Sequence, residues 1–265
     1  MPHRQSTLLR RQLSKASRRF VAYCEPLAIT WPPYSPAFLV ALLLASPTVL
    51  CAVPANAQQS PIEQSSPAVR GRQTQPRETS RPYTGDLSVF DYKGRGKKLQ
   101  VDRVMDILEI SPGRRVADIG AGSGWFSVRA ARRVQPTGLV YAVDINPEAI
   151  QYIQQRAKRE GISNIKAILG KPADPSLPPN SVDAVLLLKA YHEVAEPVAL
   201  LKNLRKSLHP GARVGIIDRN GTPESHGVNE DIVRREAQEA GYTLIGRYDF
   251  VKGDGEDYFL VFKLH

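Results

Sequence analysis

From about Gly85 to His265, short runs of consecutive apolar residues alternate with stretches in which apolar residues return every third or fourth position. The runs predict strands: "RVADIG", which reads as buried, then "LVYAVDI", "IKAILG", "VDAVLLLKAY" and "ARVGIID". The intervening stretches predict amphipathic helices. "KLQVDRVMDILEI" carries Leu99, Val101, Val104, Met105 and Leu108 at helical spacing, and "SVRAARRV", "PVALLKNLRKSL" and "EDIVRREAQEAG" follow the same rule. "PEAIQYIQQRAKREG" adds punctuation, with Pro147 at its start and Gly161 at its end. "YTLIGRYDF" and "DYFLVFKL" close the chain as two strands joined by the short "VKGDGE" loop, which predicts an antiparallel hairpin. Strand and helix in alternation predict an α/β fold with a doubly wound parallel sheet. Such a sheet gathers ligands at the carboxyl ends of its strands.

Two earlier segments break this pattern. The chain opens "MPHRQSTLLRRQLSKASRRF" and runs into "AFLVALLLASPTVLCAVPANAQQ". A basic start, a limited apolar stretch and the small-residue site Ala55-Asn56-Ala57 predict a secretory signal removed after Ala57, and hence export. An uncleaved membrane anchor and an organellar transit peptide are the alternatives. Ala37 to Val53 is 17 residues and contains Pro47, short of the roughly 20 that a spanning helix needs. Arg18 and Arg19 in "SRRFVA" raise a twin-arginine route, against which the long gap to Ala37 counts. Residues 58–84, rich in Gln, Ser, Pro and Arg with almost no apolar content, predict a disordered linker. The expected organisation is a leader over 1–57, a linker over 58–84 and one domain over 85–265.

Charge and cysteine content narrow the function classes. The formal charge is +10, but residues 1–57 hold six Lys or Arg against one acid, Glu25. The remaining basic residues are spread without a block, which speaks against a nucleic-acid partner. Cys24 and Cys51 both precede residue 58, so the domain has no thiol for disulfides, metal sites or nucleophilic chemistry. Its histidines share no metal-ligand spacing, and no metal site is expected.

The candidate chemistry begins at "VADIGAGSGWF", where Gly120, Gly122 and Gly124 lie between the first strand and its helix. Missing Cβ atoms let a ligand lie against the backbone, and the helix N-terminus offers free N–H groups. Asp144 ends the second strand, 24 residues beyond Gly120, where a carboxylate can accept both hydroxyls of a ribose. Two cofactors suit this pair of features, a dinucleotide and S-adenosylmethionine. The dinucleotide fingerprint requires glycine at position 125, where this chain has Trp125. Asp118 before the turn suits a cationic amino group and would repel a pyrophosphate. Both observations favour S-adenosylmethionine. Bland alternatives are capping of the glycine turn or pairing with a nearby base for Asp118, and a strand-ending role for Asp144; Asp183 reads as a turn residue.

The series "VADIGAGSGWF", "VYAVDINPEAI", "GKPADPSLPPNSVDAVLLLKAYHEV" and "LHPGARVGIID" resembles the motif series of class I S-adenosylmethionine-dependent methyltransferases, over essentially the whole domain. It is also similar to a subset of such domains that follow an exported leader. The resemblance implies a seven-stranded, mainly parallel sheet with an antiparallel C-terminal strand. It implies that Gly120, Gly122 and Gly124 underlie the methionine part, with Asp118 near its amino group. Asp144 would hold the ribose, Ile145 would pack on the adenine and Asp174 would approach the adenine edge. One departure is that Lys171, rather than an acid, follows Gly170.

Candidate catalytic residues come from "LLLKAYHEV", at the end of the fourth strand beside the first. His192 is the expected base for an acceptor that must lose a proton, with a structural hydrogen-bonding role as the alternative. Tyr191 is a second candidate, with plain packing as its alternative. Lys189 is a cation that needs a carboxylate, either within the chain or on the acceptor. His226 falls in the loop "NGTPESHGVNE", expected to be mobile. The expected function is methyl transfer to a small-molecule or lipid-like acceptor, because no inserted domain grips a macromolecule. Cofactor binding without turnover and nicotinamide-dependent oxidoreduction are the alternatives, the latter opposed by Trp125.

Overall fold

The computed structural model describes residues 76–79, 83–251 and 257–265. Every described residue belongs to one compact unit. The expected leader over 1–57, and the expected linker as far as residue 75, lie outside the described residues.

Seven strands form one sheet: β1 Arg115–Ile119, β2 Leu139–Asp144, β3 Ile165–Leu169, β4 Val182–Leu188, β5 Leu208–Arg219, β6 Tyr242–Tyr248 and β7 Asp257–Leu264. Their order is β3-β2-β1-β4-β5-β7-β6. The first five pair in parallel, and β7 runs antiparallel to both β5 and β6. The terminal hairpin is therefore real, and its second strand slots between β5 and β6. The chain winds outward from β1 through β2 to β3, then crosses back to β4 on the other side of β1. Loops leaving β1 and β4 thus diverge, and a crevice opens at their carboxyl ends.

Alternate side chains of the central strands feed two apolar cores. On β4, Ala184, Leu186 and Leu188 join one core, and Val185 and Leu187 the other. The first core is covered by α2 (Val101–Ile107), which contributes Val104 and Met105, and by α3 (Trp125–Arg133), which contributes Phe126 and Val128. The second is covered by α5 (Pro197–Leu204) with Leu200 and Leu201, and by α6 (Glu230–Glu239) with Val233 and Ala237. Helix α4 (Pro147–Arg159) has Asn146 as its N-cap, accepting from the Glu148 N–H at 2.9 Å, with Pro147 in its first turn.

Four local expectations need correction. The single helix expected over "KLQVDRVMDILEI" is two, α1 (Arg95–Leu99) and α2, because Gln100 takes a left-handed backbone at φ 47°. Strand β4 stops at Leu188; Lys189 is left-handed at φ 56°, and a 3-10 turn over Tyr191–Glu193 follows. Asp183 lies inside β4 and accepts the Arg115 N–H at 2.7 Å, which ties the amino ends of two strands rather than forming a turn. Arg77 and Tyr83, both assigned to the linker, make ordered contacts with the domain that are described below.

Candidate functional site

The turn between β1 and α3 is drawn against its neighbours on two sides. The N–H groups of Gly120 and Ala121 both donate to the Val143 carbonyl, at 2.9 and 3.0 Å. At Gly120, φ is 73° and a Cβ would lie 2.4 Å from the Ala190 Cβ, so only glycine permits this approach to the β4 loop. Gly124 serves packing instead: a Cβ there would meet Ile153 of α4 at 3.0 Å, and the residue does not line the crevice. Helix α3 starts without a side-chain cap, leaving its first N–H groups directed at the turn. Trp125 opens that helix, buried and flanked by Arg95 at 4.5 Å and Arg129 at 3.8 Å from its ring.

The crevice is a cavity of about 540 Å³, and six of the expected site residues line it: Asp118, Gly120, Gly122, Asp144, Ile145 and His192. The Asp144 carboxylate accepts the Gly122 N–H at 2.8 Å through one oxygen and the Asn146 N–H at 2.9 Å through the other. Each oxygen keeps a second lone pair, enough for a pair of vicinal hydroxyls. Ile145 beside it is an exposed apolar surface. Asp118 is 2% exposed and accepts the Ser127 hydroxyl at 2.6 Å. Burial pushes its carboxyl up to about 6, against the opposing pull of Ser127 and the Arg95 charge.

Asp174 does not line the cavity. Its carboxylate turns back to the Ser176 N–H at 2.8 Å, within the bend bridged to Lys171. This closes a local turn and directs the acid away from where the adenine edge was expected, because a short side chain satisfies the nearest amide first.

At the other end of the cavity, His192 is 6% exposed. Its Nδ1 lies 2.9 Å from Asp218 Oδ1, and its backbone N–H donates to Asp218 Oδ2 at 3.0 Å. Asp218 ends the apolar run of β5, is fully buried and also accepts the Arg219 N–H at 2.8 Å. In a neutral imidazole the ring nitrogen that faces a carboxylate is the one that donates, which leaves Nε2 as the acceptor. Nε2 lies 3.8 Å from Glu193, whose carboxyl is pushed up by burial and held down by His192. The His226 ring lies 6.2 Å from that of His192 and also lines the cavity, so the loop expected to be mobile supplies a second imidazole.

Tyr191 is misassigned as a catalytic candidate. It is fully buried, points away from the cavity and donates its hydroxyl to Glu236 on α6 at 2.9 Å. Burial pushes the phenol well above its ordinary value, which removes it as a base. Lys189 finds its carboxylate within the chain, pairing with Asp257 of β7. Asp218 was missed although it carries the signal of Asp144, an acid that directly follows a run of buried apolar residues. The wall formed by Tyr83, Leu87 and Phe90 was missed as well. This segment is fastened by Asp91, which accepts from Arg156 at 2.8 Å and from the Ser123 hydroxyl at 2.9 Å.

A family model described as a methyltransferase domain matches residues 110–248, more than half of the chain and the whole run from before β1 through β6. The chain belongs to the methyltransferase domain family. The methyltransferase domain is 27% identical over 111 residues to a protein-L-isoaspartate O-methyltransferase of Pyrococcus horikoshii, covering 42% of this chain and 47% of that protein. It is 35% identical over 124 residues to an uncharacterized methyltransferase of Mycobacterium tuberculosis, covering 46% and 47% respectively. The chain thus spans about half the length of these curated relatives. A S-adenosylmethionine-dependent methyltransferase from Aquifex aeolicus superposes with a TM-score of 0.62 at 23% identity, over 68% of this chain and 98% of that one, which establishes the shared fold. Among the described residues, no group of three or more His, Cys, Asp or Glu side chains is placed to hold a metal, and no helix is long and apolar enough to cross a membrane.

Proposed function

We propose that the chain binds S-adenosylmethionine in this cavity and catalyses methyl transfer to a small-molecule or lipid-like acceptor bearing a hydroxyl. Bound there, the cofactor would supply a methyl group already activated on a positively charged sulfur. Asp144, fixed by the Gly122 and Asn146 amides, would hold the ribose hydroxyls. Asp118 would face the amino group, and Ile145 would cover the adenine.

The observation that carries the reaction is the His192–Asp218 pair, in which His192 lines the same cavity and Asp218 is buried behind it. Asp218 fixes the tautomer and ring plane, so that Nε2 can take the proton of an attacking hydroxyl. It then stabilises the imidazolium, with Glu193 as a second carboxylate within 3.8 Å. Tyr83, Leu87 and Phe90 give the cavity an apolar wall, which suits an acceptor with an apolar body.

The decisive experiment is calorimetry with S-adenosylhomocysteine and with NAD on the intact chain. The parent should bind the first and not the second. Asp144→Ala should weaken S-adenosylhomocysteine by about 1.5–3 kcal/mol, the contribution of a charged hydrogen-bonding group. Binding of NAD, or unchanged affinity in the variant, overturns the assignment.

A further inference from the structure

The stretch 76–79 lies outside the strand and helix series, yet it inserts one side chain into it. The Arg77 N–H donates to the Ala195 carbonyl at 2.7 Å. Its guanidinium Nη2 donates to the carbonyls of Tyr191 at 2.5 Å and Val194 at 3.0 Å, and Nη1 reaches both Glu236 oxygens at 3.1 and 3.0 Å. The side chains of Arg77 and Glu236 are each only 16% exposed. The guanidinium carbon lies 5.1 Å from the centre of the Tyr191 ring.

The two carbonyls held by Nη2 bracket His192 and Glu193. The grip is doubled, because Glu236 also accepts the Tyr191 hydroxyl at 2.9 Å. Arg77 therefore holds the turn by its backbone directly and by the Tyr191 phenol through Glu236. The turn is held as well by Asp218, which receives the His192 N–H and faces Nδ1. A planar fork with several donors can meet these acceptors at once, whereas a lysine would bring a single point charge.

We propose that Arg77 is a positioning residue: it locks the Tyr191–Val194 turn so that the His192 ring stays aligned between Asp218 and the cavity. The role assigned to His192 rests on the function proposed above, but the lock is a property of the chain without acceptor or cofactor. Arg77 lies 115 residues before His192 and outside the motif series. A segment preceding the fold thereby sets the geometry at its reacting end.

The test uses the full chain with Arg77→Ala, Arg77→Lys and Glu236→Gln. Amide exchange read by mass spectrometry and NMR should show the His192 and Val194 amides exchanging at least tenfold faster in Arg77→Ala. The parent should show a slowly exchanging Nδ1–H signal for His192, and this signal should be lost in Arg77→Ala. Arg77→Lys should not restore either, and Glu236→Gln should give a smaller change in the same direction. Amides of β1 and β4, and affinity for S-adenosylhomocysteine, should stay within twofold of the parent. An unchanged His192 signal in Arg77→Ala overturns the proposal. So does a loss of protection spread through the sheet in Arg77→Lys and Glu236→Gln, the readouts that remain if Arg77→Ala fails to fold. Failure of the parent to bind S-adenosylhomocysteine would instead overturn the cofactor assignment, with the exchange comparison still deciding the role of Arg77.

Discussion

Asp118 shows how a single residue couples the fold to its ligand. Its carboxyl titrates near 6 in the folded chain, against about 3.8 for an ordinary aspartate. The folded state therefore holds the proton more tightly than the unfolded one, and stability falls as pH rises from about 4 to about 6. Above that, the ionised buried group costs up to about 3 kcal/mol. A cationic amino group placed against it would relieve this penalty. Asp118→Asn, which keeps the shape and can still accept from Ser127, should raise the melting temperature of the cofactor-free protein at pH 7.5 and leave it unchanged at pH 4. The same substitution should weaken S-adenosylhomocysteine at least tenfold, and the parent's affinity should decline as pH drops below about 6. Thermal scans at the two pH values and calorimetry between pH 5 and 8 check both halves. A variant that is less stable at pH 7.5 and binds normally returns Asp118 to a capping role. Asp118, Gly120 and Asp144 were legible in the sequence because each acts within a strand end or the turn that follows it. Asp174 was misread because its partner is the amide two residues on, a choice that local geometry makes without regard to the cavity.

The turn after β4 is the element on which the chemistry depends, and its meaning comes from distant parts of the chain. His192 meets Asp218 from 26 residues away, and Tyr191 meets Glu236 from 45. The two partners lie far along the chain, which is why the sequence offers both neighbours as candidates although one faces the cavity and the other the interior. The 3-10 geometry separates them, since consecutive side chains on so tight a turn point in different directions. His192→Ala should slow methyl transfer roughly 100-fold or more with cofactor affinity unchanged, the usual contribution of a general base. Asp218→Asn should produce a similar loss, because a neutral amide can donate to Nδ1 and so favour the tautomer that occupies Nε2 with the proton. Steady-state kinetics with a hydroxyl acceptor, compared across pH, provide the check. Equal rates in parent and variants would show that the acceptor arrives already nucleophilic and that the pair is structural.

At the scale of the whole molecule, the central strands are readable because β1, β2, β4 and β5 are buried over most of their length and appear as apolar runs, and the closing hairpin because only a short loop separates its strands. The break at Gln100 was not readable, since a left-handed glutamine carries no sequence mark. The inward reach of Arg77 was hidden for the opposite reason. A segment poor in apolar residues cannot fold alone, but one guanidinium with enough acceptors waiting for it can still dock. This bears on the leader. Cleavage after Ala57 would leave Gln58 as the new terminus and keep Arg77 nineteen residues inside the mature chain, so removal of the leader and anchoring of the His192 turn are compatible. We propose that residues 1–57 direct export and are then removed, on the strength of the basic start, the limited apolar stretch and the Ala55-Asn56-Ala57 site. Intact-mass analysis of the protein recovered from cells expressing the full reading frame should find a species beginning at Gln58, and fractionation should place it outside the cytoplasm. Ala57→Arg should block processing and leave a longer form associated with membrane, because a small residue at that site is what the processing enzyme accepts. Recovery of the unaltered chain with Met1 or the Cys24 peptide in the cytoplasmic fraction overturns the proposal.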